Sequence, residues 1–171
     1  MDVADSAALF LVSGAPGSGK TTLISHLVRI SAHIVVMDMD ELLEEGRVLG
    51  MPIAVPEAAP AWSEYNRLWV RITAIISRSG IPVLLLGPLH SAEAELAGAD
   101  SRDPQVHWAL LDCSAAEQAK RLDAPGWTRT QIEAAIDDAE RGRAAITTVF
   151  RTDQAPAEKI ARDLLDWAAS F

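Results

Sequence analysis

The apolar positions of this 171-residue chain alternate between short unbroken runs and longer segments in which apolar residues recur every three or four positions. The unbroken runs predict buried strands at residues 8–12, 34–37, 82–86, 106–111 and 146–150. The periodic segments predict helices at residues 19–30, 62–79, 115–122 and 130–143 and from Pro156 onward, with Thr128 before the fourth as its cap. Because strands that alternate with helices pair in parallel through right-handed crossovers, we expect a three-layer α/β domain.

Composition places the chain among globular proteins, with 49% hydrophobic and 23% charged residues. The length suits a single domain over residues 1–171. No apolar run approaches the roughly 18 residues of a membrane-spanning helix, and the first five residues are acidic where a secretory signal would be basic. The single cysteine, Cys113, cannot form an internal disulfide. We therefore expect a cytoplasmic protein with no membrane partner, in which Cys113 is an inert packed residue.

The charge of the chain excludes one class of partner. The formal net charge is −9, and the 15 cationic residues form no basic run. A nucleic-acid-binding surface needs clustered cations to neutralise phosphates, so we expect no nucleic-acid partner. A small phosphorylated ligand needs only a few cations in one cleft, and the charge does not exclude it.

Residues 14–21 match the phosphate-binding pattern G-x-x-x-x-G-K-[ST] at every fixed position. This segment, called the phosphate loop below, consists of Gly14, Ala15, Pro16, Gly17, Ser18, Gly19, Lys20 and Thr21. Its glycines carry no Cβ and it opens a predicted helix, so backbone N–H groups can converge on an anion. We expect Lys20 to reach the β and γ phosphates of ATP, Thr21 to ligate Mg²⁺ and Thr22 to contact the α-phosphate.

Two carboxylates, Asp38 and Asp40, directly follow the second predicted strand. Both would lie near the phosphate loop if the first two strands are close in the sheet. Phosphoryl transfer needs a group that accepts or orients the proton of the attacking hydroxyl, and it needs an anchor for Mg²⁺. Two carboxylates can divide these roles. The alternative is an acidic N-cap at Asp40 for a short helix over residues 41–45.

Three features resemble those of the shikimate kinase, gluconate kinase and adenylate kinase group of P-loop proteins, to which chloramphenicol phosphotransferase also belongs. They are the phosphate loop with Thr22, the pair Asp38 and Asp40, and the later arginines. Segments 65–69, 83–89 and 111–113 resemble actinobacterial AAA-family ATPase or kinase-like proteins. The resemblance implies a three-layer P-loop NTPase fold, with a five-stranded parallel sheet in the order 2-3-1-4-5 and helices on both faces. It also implies ATP-dependent phosphoryl transfer to a small molecule.

The resemblance further implies that Asp38 helps to hold Mg²⁺ and that Asp40 lies where the phosphotransferases carry their base. Many P-loop proteins end the third strand with an acid, but here this strand runs into Gly87. The only apolar run that ends in aspartate is the fourth strand, at Asp112. Kinases of this group place the acid on the second strand instead. The difference argues against a hydrolytic ATPase of the motor type.

Related kinases carry a glycine-rich acceptor loop after the third strand and a lid after the fourth. Here residues 87–90 would form the acceptor loop, with Gly87 close to substrate and His90 bonded to it, and residues 46–62 would form an acceptor-binding insertion. A short lid is expected at about residues 121–130. Its arginines would stabilise the transferring phosphate, with first candidates Arg121 and Arg129 and second candidates Arg141 and Arg143. The alternatives are a plain turn at residues 87–90, a surface loop at residues 46–62 and solvated arginines.

Three functions are compatible with these features. The first is a small-molecule kinase, in which Lys20 and Thr21 hold ATP and Mg²⁺ and Asp40 activates an acceptor hydroxyl. The second is a nucleoside or nucleotide monophosphate kinase, for which Arg47, Arg67 and Arg71 are thin support. The third is a P-loop ATPase that acts as a nucleotide-dependent switch. The identity of the acceptor and the choice between monomer and homodimer stay open.

Overall fold

A computed structural model describes residues 7–44, 47–48, 50–52, 59–89, 106–123 and 127–171. The strands are β1 (Leu9–Ser13), β2 (Val35–Asp38), β3 (Arg47–Val48), β4 (Met51–Pro52), β5 (Val83–Gly87), β6 (Val106–Asp112) and β7 (Val149–Arg151). The α-helices are α1 (Lys20–Ile30), α2 (Ala59–Ser77), α3 (Ala115–Leu122), α4 (Arg129–Ala145) and α5 (Ala157–Ala168), and a 3₁₀-helix spans Met39–Leu42. No helix in these ranges is long and apolar enough to cross a membrane.

Five parallel strands form the main sheet in the order β2-β5-β1-β6-β7. Counted along the chain within this sheet, the order is 2-3-1-4-5, which confirms the predicted topology. The first strand is central, since Leu11 pairs with Leu85 on one side and with Trp108 on the other. Strands β3 and β4 form a separate two-stranded antiparallel hairpin that the sequence pattern did not predict.

Helices cover both faces of the main sheet, as predicted. On β1, Leu9 and Leu11 belong to the core cluster beneath α2, whereas Phe10 and Val12 belong to the cluster beneath α1 and α5. All four side chains are buried. A strand covered on both faces gains burial at every position, which explains why its sequence is an unbroken apolar run. Burying each such side chain contributes about 1.5–3 kcal/mol.

Element boundaries differ from the predicted ones mainly at two places. The fifth strand of the main sheet is Val149–Arg151 rather than residues 146–150, because Ile146 is the C-cap of α4 and donates its N–H to the carbonyl of Gly142. Helix α2 begins at Ala59 and so takes in the end of the predicted acceptor insertion. The predicted cap at Thr128 is confirmed, and Gln131 completes a capping box with it.

A buried ion-pair network joins the end of the sheet to α4. Asp112 is 2% exposed, and its Oδ2 accepts from Arg143 Nε at 2.8 Å and from Arg151 Nη1 at 2.7 Å. Its Oδ1 accepts from Arg143 Nη2 at 3.2 Å. The hydrogen bond to Asp112 raises the pKa of Arg143. Asp112 thus ties β6, β7 and α4 together, and Arg143, a second-choice lid residue in the sequence, pairs with Asp112.

We expect Asp112→Asn to lower the free energy of unfolding by about 2 kcal/mol. The change removes the carboxylate that Arg143 and Arg151 share, and among the described residues only Arg151 keeps a second one, Asp153 at 3.5 Å. Breaking a fully buried pair costs about 3–5 kcal/mol, and the partial exposure of both arginines reduces this cost. Urea unfolding followed by circular dichroism measures the effect. The matched control is Asp163→Asn, which breaks the exposed pair with Lys159 and should cost less than about 0.5 kcal/mol. Equal costs for the two variants would contradict this assignment.

Candidate active site

The phosphate loop connects β1 to α1 at the carboxyl end of the sheet. Gly17 and Gly19 have φ values of 80° and 103°, a left-handed conformation that side chains with a Cβ rarely adopt. Gly19 is also the N-cap of α1, and this helix end has no side-chain cap. Uncapped N–H groups and the positive end of the helix dipole make such a terminus an anion site.

Two cations bind carbonyl groups of the phosphate loop. Lys20 Nζ donates to the carbonyl oxygen of Gly14 and, at 3.2 Å, to that of Ala15. Arg121 Nη1 donates to the carbonyl of Gly17 at 3.2 Å. The carbonyl groups of Gly14, Ala15 and Gly17 therefore face Lys20 or Arg121. Since the carbonyl and the following N–H of one peptide point in opposite directions, the N–H groups of Ala15, Gly17 and Gly19 can face an anion, whereas the N–H of Ser18 donates to the Ala15 carbonyl at 3.1 Å.

Two uncharged side chains bind the remaining loop carbonyls between Gly14 and Ser18. Gln118, which is buried, donates from Nε2 to the carbonyl of Pro16 at 2.8 Å and to that of Ala135 on α4 at 2.9 Å. Thr152 Oγ1 donates to the carbonyl of Ser18 at 2.6 Å. With Lys20 and Arg121, every carbonyl from residue 14 to residue 18 is bound by a side chain. Three of these four side chains come from the second half of the chain.

A cleft of about 250 Å³ opens beside the phosphate loop. Its lining residues are Gly19, Thr22, Leu23, Arg121, Thr152, Ala157 and Ile160. Arg121 spans one wall, because its guanidinium also donates to Thr152 Oγ1 at 2.9 Å and to Glu117 at 3.1 Å. Apolar side chains from α1 and α5 combined with one planar guanidinium suit a flat ring system.

Asp38 ends β2 and is buried, whereas Asp40, two residues further along, is exposed. Asp38 Oδ1 accepts from the backbone N–H of Asp40 at 3.0 Å and caps the 3₁₀-helix. The predicted alternative of an Asp40 cap for a helix over residues 41–45 is therefore wrong, because the carboxylate that meets the free N–H is that of Asp38. The cap also fixes the backbone position of Asp40.

Lys20, Asp38 and Asp40 act on one another electrostatically. Burial raises the pKa of Asp38 and the charge of Asp40 raises it further, while the Asp40 N–H and Lys20 lower it. Burial lowers the pKa of Lys20, and the charges of Asp40 and Asp38 oppose this shift. The structure thus brings together the predicted phosphate-binding lysine and both predicted carboxylates, although β5 lies between β2 and β1 in the sheet.

Gly87 has a packing role that the sequence did not predict. A Cβ at Gly87 would lie 2.7 Å from Met39 Cγ and still closer to its Sδ. The missing side chain therefore makes room for Met39, which is buried between the two aspartates of the sequence. Tyr65 on α2 donates its hydroxyl to the Met39 carbonyl. His90 and part of the predicted insertion at residues 46–62 lie outside the described residues.

The other predicted arginines pair with carboxylates outside the phosphate loop. Arg129 is 92% exposed and pairs with Glu133 at 3.0 Å. Arg141 pairs with Asp138 at 3.1 Å. Residues 124–126 of the predicted lid lie outside the described residues, so of the four candidates only Arg121 contacts the loop.

Cys113 lies behind the phosphate loop, where its Sγ is 3.7 Å from the carbonyl oxygen of Gly17. The residue is 1% exposed. Burial raises the pKa of its thiol, which favours the unreactive protonated form. This environment fits the predicted role of a packed cysteine.

The sequence did not predict that Gln118 and Thr152 bind the phosphate loop, and it assigned no role to Asp112. Gln118 and Arg121 stand three residues apart and share one face of α3, a spacing that could have grouped them. Thr152 follows β7, and only the parallel pairing of β6 with β7 brings it to the loop. Asp112 resembles a strand-end metal acid in sequence, but both of its oxygens accept from arginines.

The fold is that of P-loop small-molecule kinases. A shikimate kinase from Acinetobacter baumannii in complex with shikimate matches with a TM-score of 0.67 and 16% identity, over 97% of this chain and 95% of that chain. A sugar kinase from a Janibacter species matches with a TM-score of 0.65 and 18% identity, over 95% of each chain. The Mycobacterium tuberculosis APS kinase in complex with AMPPNP and APS matches with a TM-score of 0.61 and 13% identity, over 97% and 99% of the two chains.

Sequence comparison adds no closer relationship. No protein-family model matches the chain, and no curated protein matches it. At 13–18% identity, the similarity to these three structures shows the fold alone.

We expect Gln118→Leu to weaken ATP binding about tenfold. The substitution keeps the approximate volume but removes the donor that holds the Pro16 carbonyl, and releasing one such bond costs about 1–1.5 kcal/mol. Titration of the variant with ATP by calorimetry gives the change in Kd. The control is Gln131→Leu, which removes the capping box of α4 and should lower stability without changing the Kd. If the Kd of Gln118→Leu equals that of the parent, the carbonyl contact does not shape the loop.

We expect Asp38→Asn to raise the melting temperature at pH 7 in the absence of nucleotide. Burial raises the pKa of Asp38 above its ordinary value of 3.8, so its ionised form destabilises the folded state above the raised pKa, and this cost vanishes below the unfolded pKa. Asparagine keeps the acceptor for the Asp40 N–H and carries no charge. The gain, about 2–4 °C per kcal/mol, should shrink as the pH falls toward 4.

Scanning calorimetry from pH 4 to pH 8 measures this difference. The control Asp137→Asn, at an exposed position of α4, should shift the melting temperature at neither end of the range. A loss of stability at pH 7 in Asp38→Asn would contradict the electrostatic account.

Proposed function

We propose that this protein is an ATP-dependent phosphotransferase that moves the γ-phosphoryl group of ATP to a hydroxyl of a small molecule. One observation carries the proposal: Lys20 lies on the phosphate loop within electrostatic reach of two carboxylates, Asp38 and Asp40, at the end of a neighbouring strand. A cation for the transferring phosphate and carboxylates for the attacking hydroxyl therefore lie at the same edge of the sheet. General phosphoryl transfer requires this combination.

In this proposal the phosphates of ATP occupy the phosphate loop and the first turn of α1. Lys20 exchanges its carbonyl partners for β- and γ-phosphate oxygens, and Thr22 lies near the α-phosphate. The base enters the cleft beside Arg121, whose guanidinium plane can stack on it while Leu23 and Ile160 supply apolar contact. Arg121 thus acts on the base side of the nucleotide.

The residues present fit Mg²⁺ carried by the nucleotide. Asp38 is a buried carboxylate whose pKa is raised, because its neighbours do not fully offset the cost of burying its negative charge. Thr21 is exposed on the first turn of α1. Both would hold the ion or its water shell. Among the described residues no group of three His, Cys, Asp or Glu side chains could hold a metal, and Mg²⁺ bound mainly by phosphates and water needs no such group. When bound, Mg²⁺ neutralises charge on the β and γ phosphates.

The proposed reaction uses Asp40 as the base. The acceptor oxygen forms a bond to Pγ, the bond between Pγ and the bridging β–γ oxygen breaks, and ADP leaves. The hydroxyl proton passes to the Asp40 carboxylate and then to solvent. Lys20 stabilises charge on the transferring group. When the lid closes, Arg129 approaches the transferring phosphate as well. Its positive charge adds to the stabilisation that Lys20 provides.

We expect acceptor-dependent ATP consumption that is lost in both Lys20→Ala and Asp40→Asn. Lys20→Ala removes the phosphate cation and should also abolish ATP binding, whereas Asp40→Asn should keep ATP binding and lower kcat by about 10²–10⁴. Coupled ADP detection against pools of sugars, sugar acids, nucleosides, nucleotides and antibiotics measures turnover. Calorimetry measures binding.

Two outcomes would decide against this mechanism. Full turnover in Asp40→Asn would eliminate Asp40 as the base. Turnover that is equal with and without every acceptor pool would favour the nucleotide-dependent switch, because a switch hydrolyses ATP without an acceptor.

A further inference from the structure

One hydroxyl group connects the cleft beside the phosphate loop with the loop itself. Thr152 lines this cleft together with Arg121 and Gly19. Its Oγ1 lies 2.6 Å from the carbonyl oxygen of Ser18 and 2.9 Å from Nη1 of Arg121. A Cβ at Gly19 would lie 3.4 Å from the same hydroxyl oxygen. Thr152 therefore touches both the cation that lines the cleft and the peptide that precedes α1.

Chemistry fixes the direction of both hydrogen bonds. A guanidinium group only donates and a carbonyl oxygen only accepts, whereas a hydroxyl donates one proton and accepts through its lone pairs. Thr152 therefore accepts from Arg121 and gives its proton to the Ser18 carbonyl. The Asp112 carbonyl lies farther from the hydroxyl, at 3.2 Å, and accepts from the backbone N–H of Thr152 at 2.8 Å instead. Arg121, Thr152 and Ser18 thus form a chain in which each hydrogen bond polarises and strengthens the next.

This chain ends on a peptide whose opposite side can face phosphate. The carbonyl of Ser18 and the N–H of Gly19 belong to one planar peptide and point in opposite directions. A hydrogen bond that fixes the carbonyl therefore fixes the N–H as well. Gly19 has a φ of 103° and lacks the Cβ that would restrict its backbone. The Thr152 hydroxyl thus restrains a peptide that the local sequence leaves free to rotate.

The other end of the chain lies where the proposed function places the base. The partly exposed guanidinium of Arg121 donates to Glu117 at 3.1 Å, to the Gly17 carbonyl at 3.2 Å and to the Thr152 carbonyl at 3.2 Å. A ring stacked on this guanidinium excludes water from its hydrogen bond with the Thr152 hydroxyl. Hydrogen bonds become stronger as the local dielectric falls. A bound base therefore strengthens the interaction that orients the loop.

We infer that Thr152 couples the base site to the phosphate site, so that each half of the nucleotide binds more tightly when the other half is bound. Such coupling is reciprocal, because the two halves bias the same arrangement of the protein. Thr152 is a positioning residue, since it acts on phosphate through the peptide between Ser18 and Gly19. The inference rests on the placement of ATP in the proposed function. It adds that the site favours a nucleotide over free polyphosphate by more than the contacts of the base alone.

The test supplies the two halves of the nucleotide as separate molecules to the full chain. Adenosine is titrated by calorimetry without pyrophosphate and with saturating magnesium pyrophosphate. Because adenosine is uncharged, pyrophosphate does not act on it through a net charge. We expect pyrophosphate to lower the Kd of adenosine about fivefold, at the low end of couplings between sites. A Kd that does not change overturns the inference, and so does adenosine that fails to bind when pyrophosphate is present.

Variants of one residue assign the coupling to the hydroxyl. Thr152→Val removes the hydroxyl at nearly constant volume and should reduce the fivefold effect to about one, with Thr152→Ala as a second variant if valine prevents folding. Thr152→Ser keeps the hydroxyl and should keep the coupling. The matched control Thr147→Val lies at an exposed position before β7 and should keep it as well.

Two results separate the coupling from the phosphotransferase function. Coupling that persists in Thr152→Val and Thr152→Ala overturns the inference, while acceptor-dependent turnover of ATP by the same preparations leaves the proposed function intact. Coupling that depends on the hydroxyl, together with ATP turnover that no acceptor increases, supports the inference and contradicts the proposed function.

Discussion

The carbonyl groups of residues 14–18 are bound by side chains, and most of these side chains come from distant elements. A glycine-rich segment has many accessible conformations, and only those with converging N–H groups bind phosphate. Gln118, Arg121 and Thr152 select such a conformation by binding the opposite side of the peptides. The conformational entropy of the phosphate loop is therefore lost when the chain folds and not when a ligand binds, so the loop is preorganised.

The Asp112 network supports this arrangement from one layer further out. Its carboxylate joins Arg143 and Arg151, and its carbonyl accepts from the backbone N–H of Thr152 at 2.8 Å. Thr152 in turn holds the Ser18 carbonyl. Asp112, which ends a strand as the acid of many P-loop proteins does, thus contributes to the site by positioning Thr152. The central place of β1, paired on both edges, gives this chain of contacts a rigid base.

Local patterns predicted the buried strands and the phosphate loop, through unbroken apolar runs and a glycine-rich motif before a helix, whereas the order of the sheet came from the resemblance to P-loop kinases. The sequence also predicted the Asp38 and Asp40 pair, but it gave the cap to the wrong carboxylate, since which oxygen meets a free N–H depends on backbone angles. The contacts of Gln118 and Thr152 with the loop could not be predicted, because their partners lie more than 100 positions away. The packing of Met39 over Gly87 was not predicted either, since the two residues are neighbours only in space.

Strand β1 ends at Ser13, yet its two pairing partners begin at Val83 and Val106. During synthesis the motif leaves the ribosome long before either partner exists, and contacts of such large sequence separation form slowly. The side chains that shape the loop are made later still, ending with Thr152. A chain interrupted before that residue would carry every letter of the motif without its conformation. The conformation of the phosphate loop therefore depends on a residue that is made about 130 positions later than the motif itself.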